Sequence, residues 1–291
     1  MITRTILFVP GNKEKMVVKS LTAETDALVW DLEDAVALAE KDLARTTISN
    51  ALRNCAPSQK PIYVRINSIG ADMLHDDLSS VVYSGLRGVM LSKAEYPSKV
   101  QELDQALTRL EKERGLAAGA VEIHCILETC LGILNAYPIA SASARVSGLS
   151  FGAEDFTLDL GTSRSREGAE LTYARAAVAV AAGAAKVAAI DTVYSDLNDE
   201  EGLLKECQMA RQLGFKGKFA IHPKQLAIIN GAFSPSEKEL AYAEKVVQAF
   251  TKAQEENLGV IAVDGKMVDP PVVERAKQLL RFKSVAKMAS S

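Results

Sequence analysis

Two carboxylates placed just past apolar runs are the residues with most chemistry to offer. Glu128 follows the run Glu122 to Leu127, and Asp155, with Glu154 and Asp159 close by, follows Val146 to Phe151 across Gly152. Side by side at the ends of adjacent buried strands, Glu128 and Asp155 would offer hard oxygen ligands, which suits Mg²⁺ completed by water and substrate oxygens. The competing reading is that Asp155 or Glu154 only caps the next helix. Arg65 lies inside the apolar run Ile62 to Ile66, where a guanidinium must be paired with a fixed acid such as Glu33 or with a ligand carboxylate. Asp31, Glu33 and Asp34 follow another apolar run. Acids complementing a helix dipole account for one of the three, which leaves Glu33 or Asp34 to support catalytic groups from behind. Lys13 and Lys93 each follow a strand-like run, where a lysine either attracts a ligand anion or faces solvent. His124 shares the parity of Glu128 and reads as a satisfied interior residue, whereas His222 before Pro223 reads as a helix entry.

These groups converge only if the elements carrying them converge. Eight short apolar runs alternate with helical segments: Thr5 to Val9, Ala27 to Trp30, Ile62 to Ile66, Gly88 to Leu91, Glu122 to Leu127, Val146 to Phe151, Ala188 to Val193 and Phe219 to Ile221. The alternation predicts an α/β fold, a closed (β/α)8 TIM barrel over residues 1–234, with the candidates gathered at the carboxyl ends of its strands. An open doubly wound sheet is the competitor, but its glycine-rich first turn is replaced here by Val9 to Lys13. Residues 235–291 read as a separate small module. It comprises an amphipathic helix from Ser236 to Glu256, strands at Leu258 to Val263 and Lys266 to Asp269 about the turn Asp264-Gly265, and a helix from Val272. The module is expected to cap the barrel, or to act as a lid over its own site or a neighbour's.

Composition excludes several function classes. The 291 residues carry 34 basic and 37 acidic side chains, interspersed, so no basic field exists for nucleic acid. Cys55, Cys125, Cys130 and Cys207 show no CxxC spacing, which points to reduced thiols and the cytoplasm. The amino-terminal apolar run is too short for a signal peptide, and charges interrupt the alanine-rich run from Ala174 to Ala189, so no membrane segment is expected.

Six motifs in order resemble the citrate lyase beta subunit family, the HpcH/HpaI aldolase group that also contains malyl-CoA and citramalyl-CoA lyases. They are Leu7 to Gly11 (LFVPG), Asp31 to Ala35 (DLEDA), Val64 to Asn67 (VRIN), Ile126 to Thr129 (ILET), Phe151 to Phe156 (FGAEDF) and Asp264 to Asp269 (DGKMVD). The resemblance implies a Mg²⁺-dependent barrel, usually a homotrimer, cleaving a β-hydroxyacyl thioester to an acetyl thioester and a 2-oxo acid. It implies Glu128 and Asp155 as metal ligands and Arg65 as a clamp on the substrate carboxylate. It also implies that Asp269, by itself a turn residue before proline, moves a proton in a neighbouring subunit's site. The stretch Ala220 to Pro223 looks more like lyases acting on free coenzyme A esters. The alternative is a citrate lyase beta subunit, which works on citryl-carrier protein beside acyl-carrier and transferase subunits.

Overall fold

The computed structural model describes residues 3–54, 60–68, 73–255 and 259–288. They form two compact units, Thr3–Phe233 and a second from Ser234 onward. The first is a closed barrel of eight parallel strands: β1 (Thr5–Pro10), β2 (Ala27–Asp31), β3 (Ile62–Ile66), β4 (Gly88–Leu91), β5 (Glu122–Leu127), β6 (Val146–Phe151), β7 (Ala188–Asp191) and β8 (Gly217–Ala220). Each strand pairs with its neighbours in the chain, and β8 closes on β1 through Thr5↔Lys218, Ile6↔Phe219 and Leu7↔Ala220.

Alternation sorts side chains into two cores. Ile6, Val29, Met90, Ile126, Ile190 and Phe219 point into the barrel with Phe8 and Tyr63. Leu7, Val9, Leu28, Trp30, Val64, Val89, Leu127 and Leu149 point outward into the larger core under the helices. The inward parity reaches Arg65 near the end of β3 and continues past the other strands to Glu128, Gly152, Thr192 and Ile221 at one mouth.

Two expected strand boundaries move by more than one residue. The seventh strand ends at Asp191 rather than Val193, because Thr192 leaves the ladder and its hydroxyl accepts the Ala153 N–H. The eighth begins at Gly217 rather than Phe219. Lys218 masks that start in the sequence, yet its side chain is fully buried among the helices. There Lys218 Nζ is 2.7 Å from Asp191 and 2.5 Å from Glu206, while Arg175 reaches the same two acids at 2.9 and 3.0 Å. Burial pushes the Glu206 carboxyl up, but the charges of Lys218, Arg175 and Arg164 outweigh it and hold the group at about 2.

Inside the barrel, His124 bonds Ser150, and its ring occupies the space a side chain on Gly148 would need. Burial drives the His124 pKa down to about 4. The unfolded chain therefore binds this proton more readily than the fold does. Stability is full above the unfolded value near 6.5 and falls with pH until the loss is complete below about 4. The loss expected from this group is about 3 kcal/mol. Denaturant unfolding across that window checks it: His124→Gln should flatten the slope, and an unchanged slope would remove the histidine from the account.

In the second unit, the helix Glu237–Glu255 packs with Pro270–Met288 and the antiparallel pair β9 (Ile261–Val263) and β10 (Lys266–Val268) around Val246, Phe250, Val263, Val268 and Val273. Asp264 and Gly265 both take positive φ in the tight turn between the strands. The last helix begins at Pro270 rather than Val272, since first-turn positions need no N–H and accept proline. The expected helix end at Glu256 and strand start at Leu258, like Cys55, lie outside the described residues. Among the described residues, Cys125, Cys130 and Cys207 are free thiols, and no helix is long and apolar enough to cross a membrane.

Candidate active site

A cavity of about 320 Å³ opens at the carboxyl ends of the strands. Its floor is apolar, from Phe8, Ile126, Phe151, Val193, Phe219 and Ile221, and its polar lining includes Asp31, Asp34, Arg65, Glu128, Glu154, Asp155 and Thr192.

Glu128 leaves β5 with inward parity and is 5% exposed. A side chain on Gly152 would fall 2.6 Å from its Cβ and Oε2, so glycine there leaves room for the carboxylate. Burial pushes the Glu128 carboxyl up to about 8; the Lys93 N–H and Arg65 pull it down, and Glu33 and Asp155 push it further up. Asp155 stands in the first turn of the helix Ala153–Leu160, whose start is tied to Thr192.

Lys93 joins the two acids. Its backbone N–H donates to Glu128 Oε1 at 2.7 Å, and its ammonium lies 3.6 Å from Asp155 and 3.7 Å from Glu33. It does so with φ of +47°, a left-handed conformation that costs a non-glycine residue about 1 kcal/mol or more. In this conformation the main chain faces Glu128 while the side chain faces Asp155 and Glu33.

Arg65 is held by fixed acids. Its Nε and Nη2 donate to Asp31 at 2.7 and 2.5 Å, its Nη1 is 2.8 Å from Glu33 and 3.7 Å from Asp34, and the guanidinium lies 5.0 Å over the Phe8 ring. Of the two sequence readings, pairing with fixed acids is therefore realised, although Arg65 still lines the cavity. Asp31 does more than complement a dipole. Besides clamping Arg65, it accepts the Glu33 and Ala35 N–H groups and so folds the loop that carries Glu33 and Asp34. Burial also raises the Glu33 carboxyl, against the pull of Arg65.

Other candidates fall elsewhere. Lys13 does not line the cavity; its ammonium is half exposed and 3.8 Å from Glu40. His222 caps the short 3₁₀ turn Pro223–Gln225, its Nδ1 accepting the Lys224 N–H, and Ile221 faces the cavity instead. Asp269 accepts the Val272 N–H at the start of the last helix of the second unit. Sequence reasoning missed Thr192, which only its inward parity after β7 could have signalled. It also missed Lys41, whose buried ammonium holds Leu32 O, Glu33 O and Asn67 Oδ1 beneath the acidic loop at 2.5 to 2.8 Å.

The donor set fits a hard divalent cation. Both candidate ligands are carboxylates, and one is buried with its charge poorly compensated, which a cation would correct. Among the described residues no group of three or more His, Cys, Asp or Glu gathers around one point. Magnesium needs no more, since it is commonly held by one or two carboxylates and keeps waters and substrate oxygens for the rest.

The chain is similar to known proteins over nearly its whole length. Residues 4–223 match the family model described as HpcH/HpaI aldolase/citrate lyase. The chain is 40% identical over 290 residues to the citrate lyase subunit beta of Leuconostoc mesenteroides subsp. cremoris, covering 100% of this chain and 96% of that one. It is 32% identical over 286 residues to the mitochondrial citramalyl-CoA lyase of Homo sapiens, covering 94% and 83%. A crystal structure of protein CitE from Mycobacterium tuberculosis in complex with magnesium, acetoacetate and coenzyme A superimposes with a TM-score of 0.78 at 32% identity, covering 97% and 98%.

Proposed function

The chain belongs to the HpcH/HpaI aldolase/citrate lyase family and is a carbon–carbon lyase, and from that premise we propose that it cleaves a β-hydroxyacyl thioester to an acetyl thioester and a 2-oxo acid with Mg²⁺. The observation that carries the reading is the pair Glu128 and Asp155, joined through Lys93, in one small cavity with Arg65.

Glu128 and Asp155 would hold the ion, which when bound supplies Lewis acidity toward the carboxylate and hydroxyl that become the 2-oxo acid. Arg65, with Lys93 beside it, places positive charge where the substrate carboxylate sits. Asp34, the more exposed acid of the loop, takes the hydroxyl proton, and Glu33 keeps Arg65 and Lys93 in place. The O–H electrons become the new carbonyl and the C–C bond breaks. Its electron pair passes to the thioester as an enolate, and a proton delivered to the α-carbon completes the acetyl thioester. We assign that proton to Asp269, carried by the second unit as a lid over the site of a neighbouring copy in a cytoplasmic homotrimer. The apolar floor excludes water from the enolate.

The thioester carrier has two readings. A free coenzyme A ester of the citramalyl or malyl type is favoured by the Ala220 to Pro223 stretch. Citryl on a carrier protein, within a complex containing acyl-carrier and transferase subunits, is favoured by the higher identity to the citrate lyase beta subunit. Turnover of the purified chain on citramalyl-CoA, malyl-CoA and citryl-CoA, with Mg²⁺ and with EDTA, tests both. Release of a 2-oxo acid that EDTA stops establishes the free-ester reading, and cleavage that begins only with the partner subunits establishes the other. Cleavage undiminished by EDTA would reject the metal chemistry altogether.

A further inference from the structure

We infer that Arg164 is a positioning residue for this reaction, setting Asp155 through Glu154 and the first turn of the helix Ala153–Leu160; the inference rests on the metal reading of Asp155 above. Arg164 follows that helix, beyond the left-handed glycine Gly161 that ends it, and the chain turns back so that the guanidinium meets the helix's own beginning. Its Nη1 donates to Glu154 Oε1 at 2.6 Å, and its Nη2 reaches both oxygens of Glu206 at 3.1 and 3.0 Å. The Glu206 carboxylate is itself fixed by Lys218 and Arg175, which also hold Asp191. Asp191 precedes Thr192, the residue that accepts the Ala153 N–H. Both residues ahead of Asp155 are thus tied to one buried cluster, Ala153 through Thr192 and Glu154 through Arg164.

Energetics favour a geometric role over a stabilising one. The Glu154 side chain is 56% exposed, and an ion pair with so exposed a partner contributes little to stability. Yet the guanidinium facing it is 12% exposed and offers separate nitrogens, Nη1 to Glu154 and Nη2 to both oxygens of Glu206, a rigid planar fork whose two contacts a lysine would have to make from one nitrogen. Glu154 is also the wall shared between the cavity above and a second, polar cavity of about 870 Å³. Letting it swing would free the turn that aims Asp155.

The experiment is Mn²⁺ binding to the full chain without substrate, read from the free-ion signal in electron paramagnetic resonance, with Arg164→Lys, Glu154→Gln and Asp155→Asn beside the parent. Groups that orient a metal ligand typically alter affinity 10- to 100-fold, so Arg164→Lys and Glu154→Gln are each expected to weaken Mn²⁺ binding about tenfold. The melting temperature should move by less than about 4 °C. In turnover the metal requirement should rise in step, with kcat at saturating Mn²⁺ held within about threefold. If Asp155→Asn loses the ion while both other variants keep full affinity, the inference is overturned and the metal reading stands. If Asp155→Asn itself keeps full affinity, the metal reading falls and takes the inference with it. Weakened binding in Arg164→Lys with none in Glu154→Gln also overturns it, since the link would then not run through Glu154.

Discussion

Asp155→Ala should reduce magnesium-dependent turnover by about 1,000-fold or more, the equivalent of roughly 4 kcal/mol of lost transition-state stabilisation. The reason is specific to its position. Asp155 is one of only two carboxylates proposed to hold the ion, and the other, Glu128, is buried with its charge already disfavoured. A cation left with Glu128 would have one carboxylate ligand in place of two, with the Lys93 ammonium released from Asp155 beside it. The fold should survive, because the Asp155 side chain is 30% exposed and, among the described residues, its ion pair is the loose 3.6 Å contact with Lys93. Substitutions at such surface positions usually cost within about 0.5 kcal/mol. Steady-state turnover beside a thermal melt checks both halves. Retained activity would remove Asp155 from the metal site, and a lost melt would show that the residue supports the helix start instead.

Asp191→Ala has the opposite signature, a loss of stability that precedes any effect on chemistry. Asp191, Arg175 and Lys218 are all fully buried, and Asp191 accepts from both cations. Removing it leaves Arg175 and Lys218 to share Glu206 with Arg164, and among the described residues Arg175 Nη1 has no hydrogen-bond partner even with Asp191 present. Breaking a buried pair in this way costs about 3–5 kcal/mol, against a total of about 5–15 kcal/mol for a typical protein. Denaturant unfolding measures it directly. A cost under about 1 kcal/mol would mean that water or a rearranged Glu206 satisfies the cluster.

The two kinds of residue also differ in how far the sequence disclosed them. The strands were legible because apolar runs of four to six residues recur between helical segments, and six of the eight strands begin and end within one residue of expectation. The eighth began unseen because a lysine in an apolar run reads as its end. Lys218 belongs there only because Asp191 and Glu206, distant in the chain, meet it. The same limit applies at the mouth of the barrel. Spacing could nominate Glu128 and Asp155 from their places after strands, Arg65 from its place inside one and Glu33 as a partner for it, but not Asp31, the acid that holds Arg65 through two nitrogens. Asp31 takes that place because β2 and β3 pair in a register that sets the two residues opposite each other. Lys93 was nominated as a lysine, while its more informative contribution is a backbone N–H presented by a positive φ, which no residue type announces.

The closed ring also governs how the protein would fail. β8 shares a ladder with β7 on one side and β1 on the other, so its detachment uncovers two strand edges at once. Unpaired edges are templates for pairing with other chains, and a complete barrel has none to offer. Lys218 anchors β8 from outside the ring, and its own backbone is the ladder partner of Thr5 in β1 and of Asp191 in β7. Damage to its charge partners therefore converts a thermodynamic loss into a self-association hazard. In a cell, such variants would reach chaperones and proteases as aggregating species before they registered as slow enzymes.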